Sequence, residues 1–446
     1  VRKPPVSGSS FSTRRRSGRA YSGKVLVLGG VGEAAAPQSG PRTLPEHVVD
    51  LEQIDPESVS LPGWYRPNAG RARDLALVFV SSGRDEAPRA TRITNRRWAF
   101  SALGAAAAAT LTSRDTVYCC LPLHHPSGSL VAVGSALVGG CRLALASSFE
   151  PPVFWEEVRR YGASVVYYAG EMCRRLVDAP STLGENNNPV RLFAGSGMRQ
   201  DVWRRLVDRF GPVGVLEMYA STEANAVLAN TAGRKIGSVG RPLPGSPEVA
   251  VTAWSFAEQD FVRDAGGKLL YARVDEPGML LARLDTARGG SDLAHIDPKR
   301  LLRDAFAPGD VWFVTGDFVR VDLEGDHWLF DRAGSVITTA RGEVASVRIE
   351  DALYTAPCVA LCIAVGLPLP RTETTASTAT NTTTSTTAST PTGTAHERPV
   401  AALTLRPGSQ LDLPALADAI TTLPEYARPE RLRVEKELPL TGGFRT

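Results

Sequence analysis

The chain has 446 residues, 43% of them hydrophobic and 22% charged, so most of it can bury a core and two or three globular units are expected. Fifty Lys and Arg against 47 Asp and Glu leave a net charge of +3, which gives no reason to expect nucleic acid as a partner. The six cysteines lack CxxC or Cys/His spacing, which argues against a structural zinc site and a secreted disulfide framework. No apolar run reaches the roughly 18–20 residues that span a bilayer. The longest, Trp98 to Ser113, lies between Arg97 and Arg114 and reads as a helix packed on a sheet. Peripheral association with a membrane through a surface helix stays open.

Residues 1–73 form a basic, partly disordered segment in which Arg2, Lys3, Arg14, Arg15, Arg16, Arg19 and Lys24 all precede the first acidic residue, Glu33. Within it Val25–Leu28 reads as a short buried strand, followed by a Pro/Gly-rich linker. From Asp74 short apolar strands alternate with amphipathic helices: strand Leu75–Val80, helix Trp98–Thr110, strand Thr116–Leu121, helix Ser129–Val138 and strand Arg142–Ala146. The cycle continues through helix Pro152–Tyr161, strand Ser164–Tyr168, helix Glu171–Asp178, strand Val190–Ala194, helix Arg199–Phe210 and strand Val213–Tyr219. This alternation predicts an α/β fold with a parallel sheet covered on both faces. After Gly237, Gly, Pro and β-branched residues dominate, predicting a β-rich subdomain to about Arg332. A large domain over residues 74–331 and a small mobile α+β C-terminal domain over 332–446 are expected. The latter carries helix Val347–Tyr354, strands Val359–Val365 and Val400–Leu405, and helix Leu413–Thr422. Residues 371–395 hold thirteen Thr and no large apolar side chain, so they predict a disordered insertion.

Four stretches carry candidate chemistry. Ser81-Ser82-Gly83 followed by Pro88-Arg89 has the outline of a phosphate loop, with Arg89 as cation; a plain turn is the alternative. Tyr219-Ala220-Ser221-Thr222-Glu223 ends a strand, where open α/β sheets place ligands. There Tyr219 can stack on a flat base, Ser221 and Thr222 can donate to phosphate, and Glu223 offers Mg²⁺ a hard oxygen. The alternative is a helix N-terminus capped by Ser221 or Thr222. Thr315-Gly316-Asp317 between strands Val311–Val314 and Phe318–Val321 is by itself a hairpin turn, or else a carboxylate placed to grip vicinal hydroxyls. Asp331-Arg332-Ala333-Gly334 suits an interdomain hinge.

The order of these stretches resembles the adenylate-forming enzymes, and within them the fatty acid transport protein / very-long-chain acyl-CoA synthetase branch. Residues 121–130 (LPLHHPSGSL), 190–199 (VRLFAGSGMR), Arg209-Phe210-Gly211-Pro212, Leu216-Glu217-Met218-Tyr219, residues 306–311 (FAPGDV) and Tyr426-Ala427-Arg428-Pro429 carry the likeness, which runs from about Asp74 to Thr446. The resemblance implies activation of a long- or very-long-chain fatty acid by ATP to an acyl-adenylate, followed by transfer to CoA, with ATP, CoA and Mg²⁺ as co-reactants. It implies that Ser81, Ser82, Gly83 and Arg89 line the triphosphate, and that Gly195, Ser196, Gly197 and Tyr219 flank the adenine, with Ala220 and Ser221 in the same nucleotide stretch. Thr222 then touches the α-phosphate, Glu223 binds Mg²⁺, and Asp317 takes the ribose hydroxyls with Arg332. His125 lies near the acyl carboxylate, and Arg445 is the terminal cation that a rotating C-terminal domain presents to the adenylate. Relatives of this kind are associated with endoplasmic reticulum, peroxisome or plasma membrane.

The sequence departs from the pattern in places. Where the family has Thr-Thr-Gly in its phosphate loop this chain has Arg84-Asp85-Glu86, which sets two carboxylates where the β- and γ-phosphates lie. Arg89 and Arg445 stand where the family uses Lys, a fork in place of a point charge. The segment before Asp74 is short for the family's large domain. A relative that binds nucleotide or fatty acid without turnover, or a piece of a longer synthetase, is therefore the alternative.

Overall fold

A computed structural model describes residues 25–27, 48–50, 58, 60, 63, 70–81, 89–221, 226–284, 296–369 and 396–438. Two compact units divide the chain between Ala69 and Gly70. In the first, Val25–Val27 pairs in parallel with Val48–Asp50, so the stretch read as linker contains a strand. All the elements below belong to the second.

Five short, largely apolar strands form a parallel array whose inner members are buried on both faces. In spatial order these strands are Arg142–Leu145, Thr116–Cys119, Val165–Ala169, Leu192–Ser196 and Gly214–Ser221. Ala226–Asn230 and Arg241–Pro242 extend the array antiparallel to seven strands. Val165, Val166, Tyr167 and Tyr168 are buried in succession, the signature of a strand covered on both sides. Helix Pro151–Tyr161 starts on prolines and stops at Gly162, whose φ of 60° closes the last turn. It buries Phe154, Trp155 and Val158, while helix Gln200–Phe210 buries Val202, Trp203, Leu206 and Phe210. Trp155 and Phe210 meet with ring centroids 4.7 Å apart, joining the two helices over the sheet. Each such side chain removed from water contributes about 1.5–3 kcal/mol.

The β-rich part is a five-stranded antiparallel sheet of Val249–Thr252, Gly278–Arg283, Leu301–Arg303, Val311–Val321 and His327–Arg332. Beyond it, helix Ser346–Leu353 and helix Leu413–Thr421 accompany a sheet of Val359–Pro368, Glu397–Leu405 and Arg431–Val434. Val359–Pro368 and Glu397–Leu405 pair from Val359 opposite Leu405 to Pro368 opposite Glu397. The Thr-rich stretch 371–395 between them lies outside the described residues.

Three local expectations change. Leu75–Ser81 does not join the parallel array; it pairs antiparallel with Arg89–Thr94 as a separate hairpin. Its apolar run hides an alternation: Phe79 is buried with Ile93 and Leu130, while Leu75, Val78 and Val80 are exposed. The segment read as helix Ser129–Val138 begins as a π-helical stretch, Ser127–Val133, before the α-helix Gly134–Gly139. Thr315-Gly316-Asp317 is not a hairpin turn. It is a bulge inside the single strand Val311–Val321, opposite Leu280, made feasible by Gly316 at φ 79°.

Candidate functional site

The bulge decides where Asp317 goes. The Thr315 hydroxyl donates to the Leu280 carbonyl at 2.7 Å and accepts from the Asp317 amide at 3.1 Å, which fixes the kink. Asp317 then meets Tyr219, 98 residues earlier, whose hydroxyl donates to Oδ2 at 2.6 Å. Arg332 pairs with Asp317 in register, and its Nε lies 3.9 Å from Oδ1. Three residues singled out from separate stretches of sequence therefore converge. Burial, then the Asp317 carboxylate beside it, hold the Tyr219 phenol far above its ordinary pKa, so the tyrosine stays a donor. Its ring packs against the cluster of Leu228, Val239, Leu280 and Val319.

The neighbouring parallel strand, Leu192–Ser196, delivers the Gly195-Ser196-Gly197 loop. A Cβ on Gly195 would run into the carbonyl and ring of Tyr168, and one on Gly170 into the Gly197 carbonyl; Gly197 itself sits at φ 85°. The backbone here is too closely packed for side chains. Glu217 braces the loop from the adjacent strand. Although only 3% exposed, its carboxylate accepts from the Gly197 amide at 2.5 Å, the Met198 amide at 3.3 Å and the Tyr168 hydroxyl. Burial, together with the Glu217 charge, pushes the Tyr168 phenol well up. Sequence reading gave Glu217 no role. The signal was a carboxylate inside the run Val215-Leu216-Glu217-Met218, since a charge in a strand buried on both faces must be paired.

Ser221 pairs with Ala226, so the strand continues through Tyr219 and Ala220 to Ser221, which is no helix cap. Thr222 and Glu223 lie outside the described residues. Ser81 and Arg89 are paired at the end of their own hairpin, with Ser82 and Gly83 outside the described residues. Arg445 is likewise outside them. His125 is engaged locally, its Nδ1 2.6 Å from the Ser127 hydroxyl and 3.2 Å from the Ser127 amide, at the start of the π-helical stretch. Asp331 is 3% exposed. It accepts from the Ser346 amide at 2.6 Å, the Ser346 hydroxyl at 2.8 Å and the Arg332 amide at 2.8 Å. Burial raises its pKa despite these donors.

A nucleotide fits this arrangement chemically: a glycine-rich backbone edge for a flat base, and a carboxylate with an adjacent guanidinium for vicinal hydroxyls. Among solved structures, ATP-bound MatB from Rhodopseudomonas palustris superposes with a TM-score of 0.64 at 19% identity, over 83% of this chain and 66% of that one. The o-succinylbenzoate coenzyme A synthetase MenE of Bacillus subtilis, in complex with ATP and magnesium ion, gives 0.64 at 18% identity over 89% and 74%. These likenesses establish the fold. In sequence, the chain is 32% identical over 412 residues to the medium/long-chain-fatty-acid–CoA ligase FadD6 of Mycobacterium tuberculosis. It is 31% identical over 419 residues to human long-chain fatty acid transport protein 3. These matches cover 90% and 91% of this chain but 64% and 57% of the relatives, so the chain spans less than two thirds of their length. Residues 28–272 match the AMP-binding enzyme family, a span that begins well before Asp74. By that match, which takes in more than half of its residues, the chain belongs to the AMP-binding enzymes.

Proposed function

We propose that the chain activates long- or very-long-chain fatty acids with ATP, forming an acyl-adenylate and then a CoA thioester, in a process linked to fatty acid uptake. The observation that carries this reading is the meeting of Tyr219, Asp317 and Arg332 beside the Gly195-Ser196-Gly197 loop. The names of the relatives, a fatty-acid–CoA ligase and long-chain fatty acid transport proteins, supply the substrate class.

A carboxylate is a poor electrophile. In the first step its oxygen attacks the α-phosphorus of ATP and pyrophosphate leaves; in the second the CoA sulfur attacks the acyl carbonyl and AMP leaves. Gly195, Ser196 and Gly197 flank the adenine with Tyr219, Ala220 and Ser221, while Asp317 accepts from the ribose hydroxyls with Arg332 alongside. Thr222 contacts the α-phosphate, Ser81, Ser82, Gly83 and Arg89 line the β- and γ-phosphates, and Arg445 meets the adenylate from the C-terminal side. Mg²⁺ held by Glu223 and the phosphate oxygens would offset the charge that gathers on the triphosphate during attack. His125 borders the acyl site. Among the described residues no helix is long and apolar enough to cross a membrane. Association with an intracellular or plasma membrane is carried over from the family resemblance.

A second reading has one specific feature in its favour. Asp85 and Glu86 in the phosphate loop repel a triphosphate, as expected of a relative that holds nucleotide or fatty acid without turnover. Pyrophosphate exchange and hydroxylamine trapping with oleate and ATP separate the two. Acyl-hydroxamate formed only with ATP and fatty acid together supports the synthetase; fatty acid binding indifferent to ATP, with no exchange, supports the binding protein.

A further inference from the structure

Two residues beyond Gly197 the chain crosses to a different part of the molecule. The Arg199 guanidinium reaches helix Ser346–Leu353, donating through Nη1 to Asp351 at 2.6 Å and to the Val347 carbonyl at 3.3 Å, and through Nη2 to Glu350. Glu350 is 5% exposed and uses its other oxygen to accept from the Ala364 amide at 3.1 Å, which ties the helix to its own sheet. Beside this contact Arg174, itself buried, lies 3.5 Å from the ring centroid of Tyr354, with Arg199 at 5.3 Å from the same ring. Arg174 in turn pairs with Asp201 at 3.0 Å. The C-terminal αβ unit thus meets two cations, Arg199 just after the glycine loop and Arg174 from helix Gly170–Asp178.

The link from loop to latch is short. Glu217 holds the amides of Gly197 and Met198, so the next residue has no slack. A planar guanidinium spread over two carboxylates and a carbonyl tolerates little displacement before a bond is lost.

We propose that Arg199 is a positioning residue that couples the Gly195-Ser196-Gly197 loop to helix Ser346–Leu353, making occupancy of the loop by an adenine nucleotide and docking of the C-terminal αβ unit one linked equilibrium. The proposal rests on the nucleotide reading of that loop. Linkage is reciprocal: whatever nucleotide does to docking, docking does to nucleotide affinity.

Amide hydrogen exchange on the full chain tests it, with adenosine monophosphate as probe and Arg199→Lys as variant. Lys keeps the charge but cannot span Asp351, Glu350 and the Val347 carbonyl together. In the unaltered protein, AMP should slow exchange at residues 195–198 and change it at 346–353. In Arg199→Lys the ligand-free helix should exchange on the order of tenfold faster, and AMP should still protect 195–198 while leaving 346–353 unmoved. A purely static seam would not produce that ligand-dependent difference. Asp351→Asn removes only a half-exposed partner and should give a smaller loss in the same direction, which decides the matter if Arg199→Lys does not fold. Protection at 195–198 with no change at 346–353 in the unaltered protein overturns the coupling alone, as does an identical helix response in the variant. No protection at 195–198 overturns the nucleotide reading, and the coupling with it.

Discussion

Replacing Glu217 tests whether one buried carboxylate holds the glycine loop in shape. Glu217→Ala strands three donors in a site that is 3% exposed: the amides of Gly197 and Met198 and the Tyr168 hydroxyl. A buried donor left unpaired costs about 1–3 kcal/mol. With partial collapse around the cavity the total is roughly 3–5 kcal/mol of local stability. Glu217→Gln keeps the shape and one acceptor oxygen, which can stay on the two amides while its NH₂ group faces a phenol able to turn and accept. Only the charge assistance is lost, about 1–2 kcal/mol. Because tenfold in an equilibrium corresponds to about 1.4 kcal/mol, the Gly197 and Met198 amides should exchange more than a hundredfold faster in the Ala variant and about tenfold faster in Gln. Peptide-resolved exchange over residues 195–199 reads this directly, without assuming that a chain of this size unfolds in one step. A change under about threefold in Glu217→Ala would refute the brace.

Removing the Tyr219 hydroxyl with Phe frees Asp317 from a charge-assisted bond worth about 1.5–3 kcal/mol and should weaken AMP binding on the order of tenfold by calorimetry. Asp317→Asn should erase the preference for AMP over its 2′,3′-dideoxy analogue; equal affinity for both in the unaltered protein would contradict a ribose role. Glu223→Gln should abolish Mg²⁺-dependent pyrophosphate exchange while circular dichroism stays unchanged, and undiminished exchange would remove Glu223 from the metal. At the far end of the sheet, Arg191 first, and the Ser164 hydroxyl and Thr112 amide as well, hold the Asp115 carboxyl far below its ordinary 3.8. The folded value is lower than the unfolded one, so this stabilisation is present above about pH 4 and drains away as pH falls further. Arg191→Leu should flatten the acid side of the thermal-midpoint profile between about pH 5 and pH 2; an equally steep profile in both proteins would count against the pair.

The parallel array was readable because its strands are short, mostly apolar runs punctuated by Gly and Pro, a pattern that survives without tertiary knowledge. Arg89–Thr94 was not. Its residues RATRIT hold two Arg and a single large apolar side chain, Ile93, with no period-2 pattern, and only pairing with Leu75–Ser81 makes them a strand. Thr315-Gly316-Asp317 misled for a related reason: a glycine between two β-branched runs marks a turn or a bulge equally well, and the choice depends on Leu280 across the sheet. Within the site, Tyr219, Asp317 and Arg332 announced themselves as polar residues following apolar runs. Arg199 and Glu350 did not, since 151 residues separate them and each alone looks like an ordinary charge on or beside an amphipathic helix.

The arrangement around Asp317 bears on what the site can do before any ligand arrives. A carboxylate offers about four acceptor positions on two oxygens. Tyr219 occupies one on Oδ2, and among the described residues the nearest cation to Oδ1 is Arg332 at 3.9 Å, too far for a hydrogen bond. The Asp317 side chain is 20% exposed, so the carboxylate is partly open to donors arriving from solvent. Tyr219 therefore fixes the direction of the carboxylate without exhausting it, and Arg332 lies alongside. Two vicinal hydroxyls could be taken up with no rearrangement of protein groups, which is the condition for binding energy to go into affinity and not into reorganisation. An aspartate carried on a flexible hairpin turn would have had to be ordered first; the bulge in Val311–Val321 does that ordering during folding.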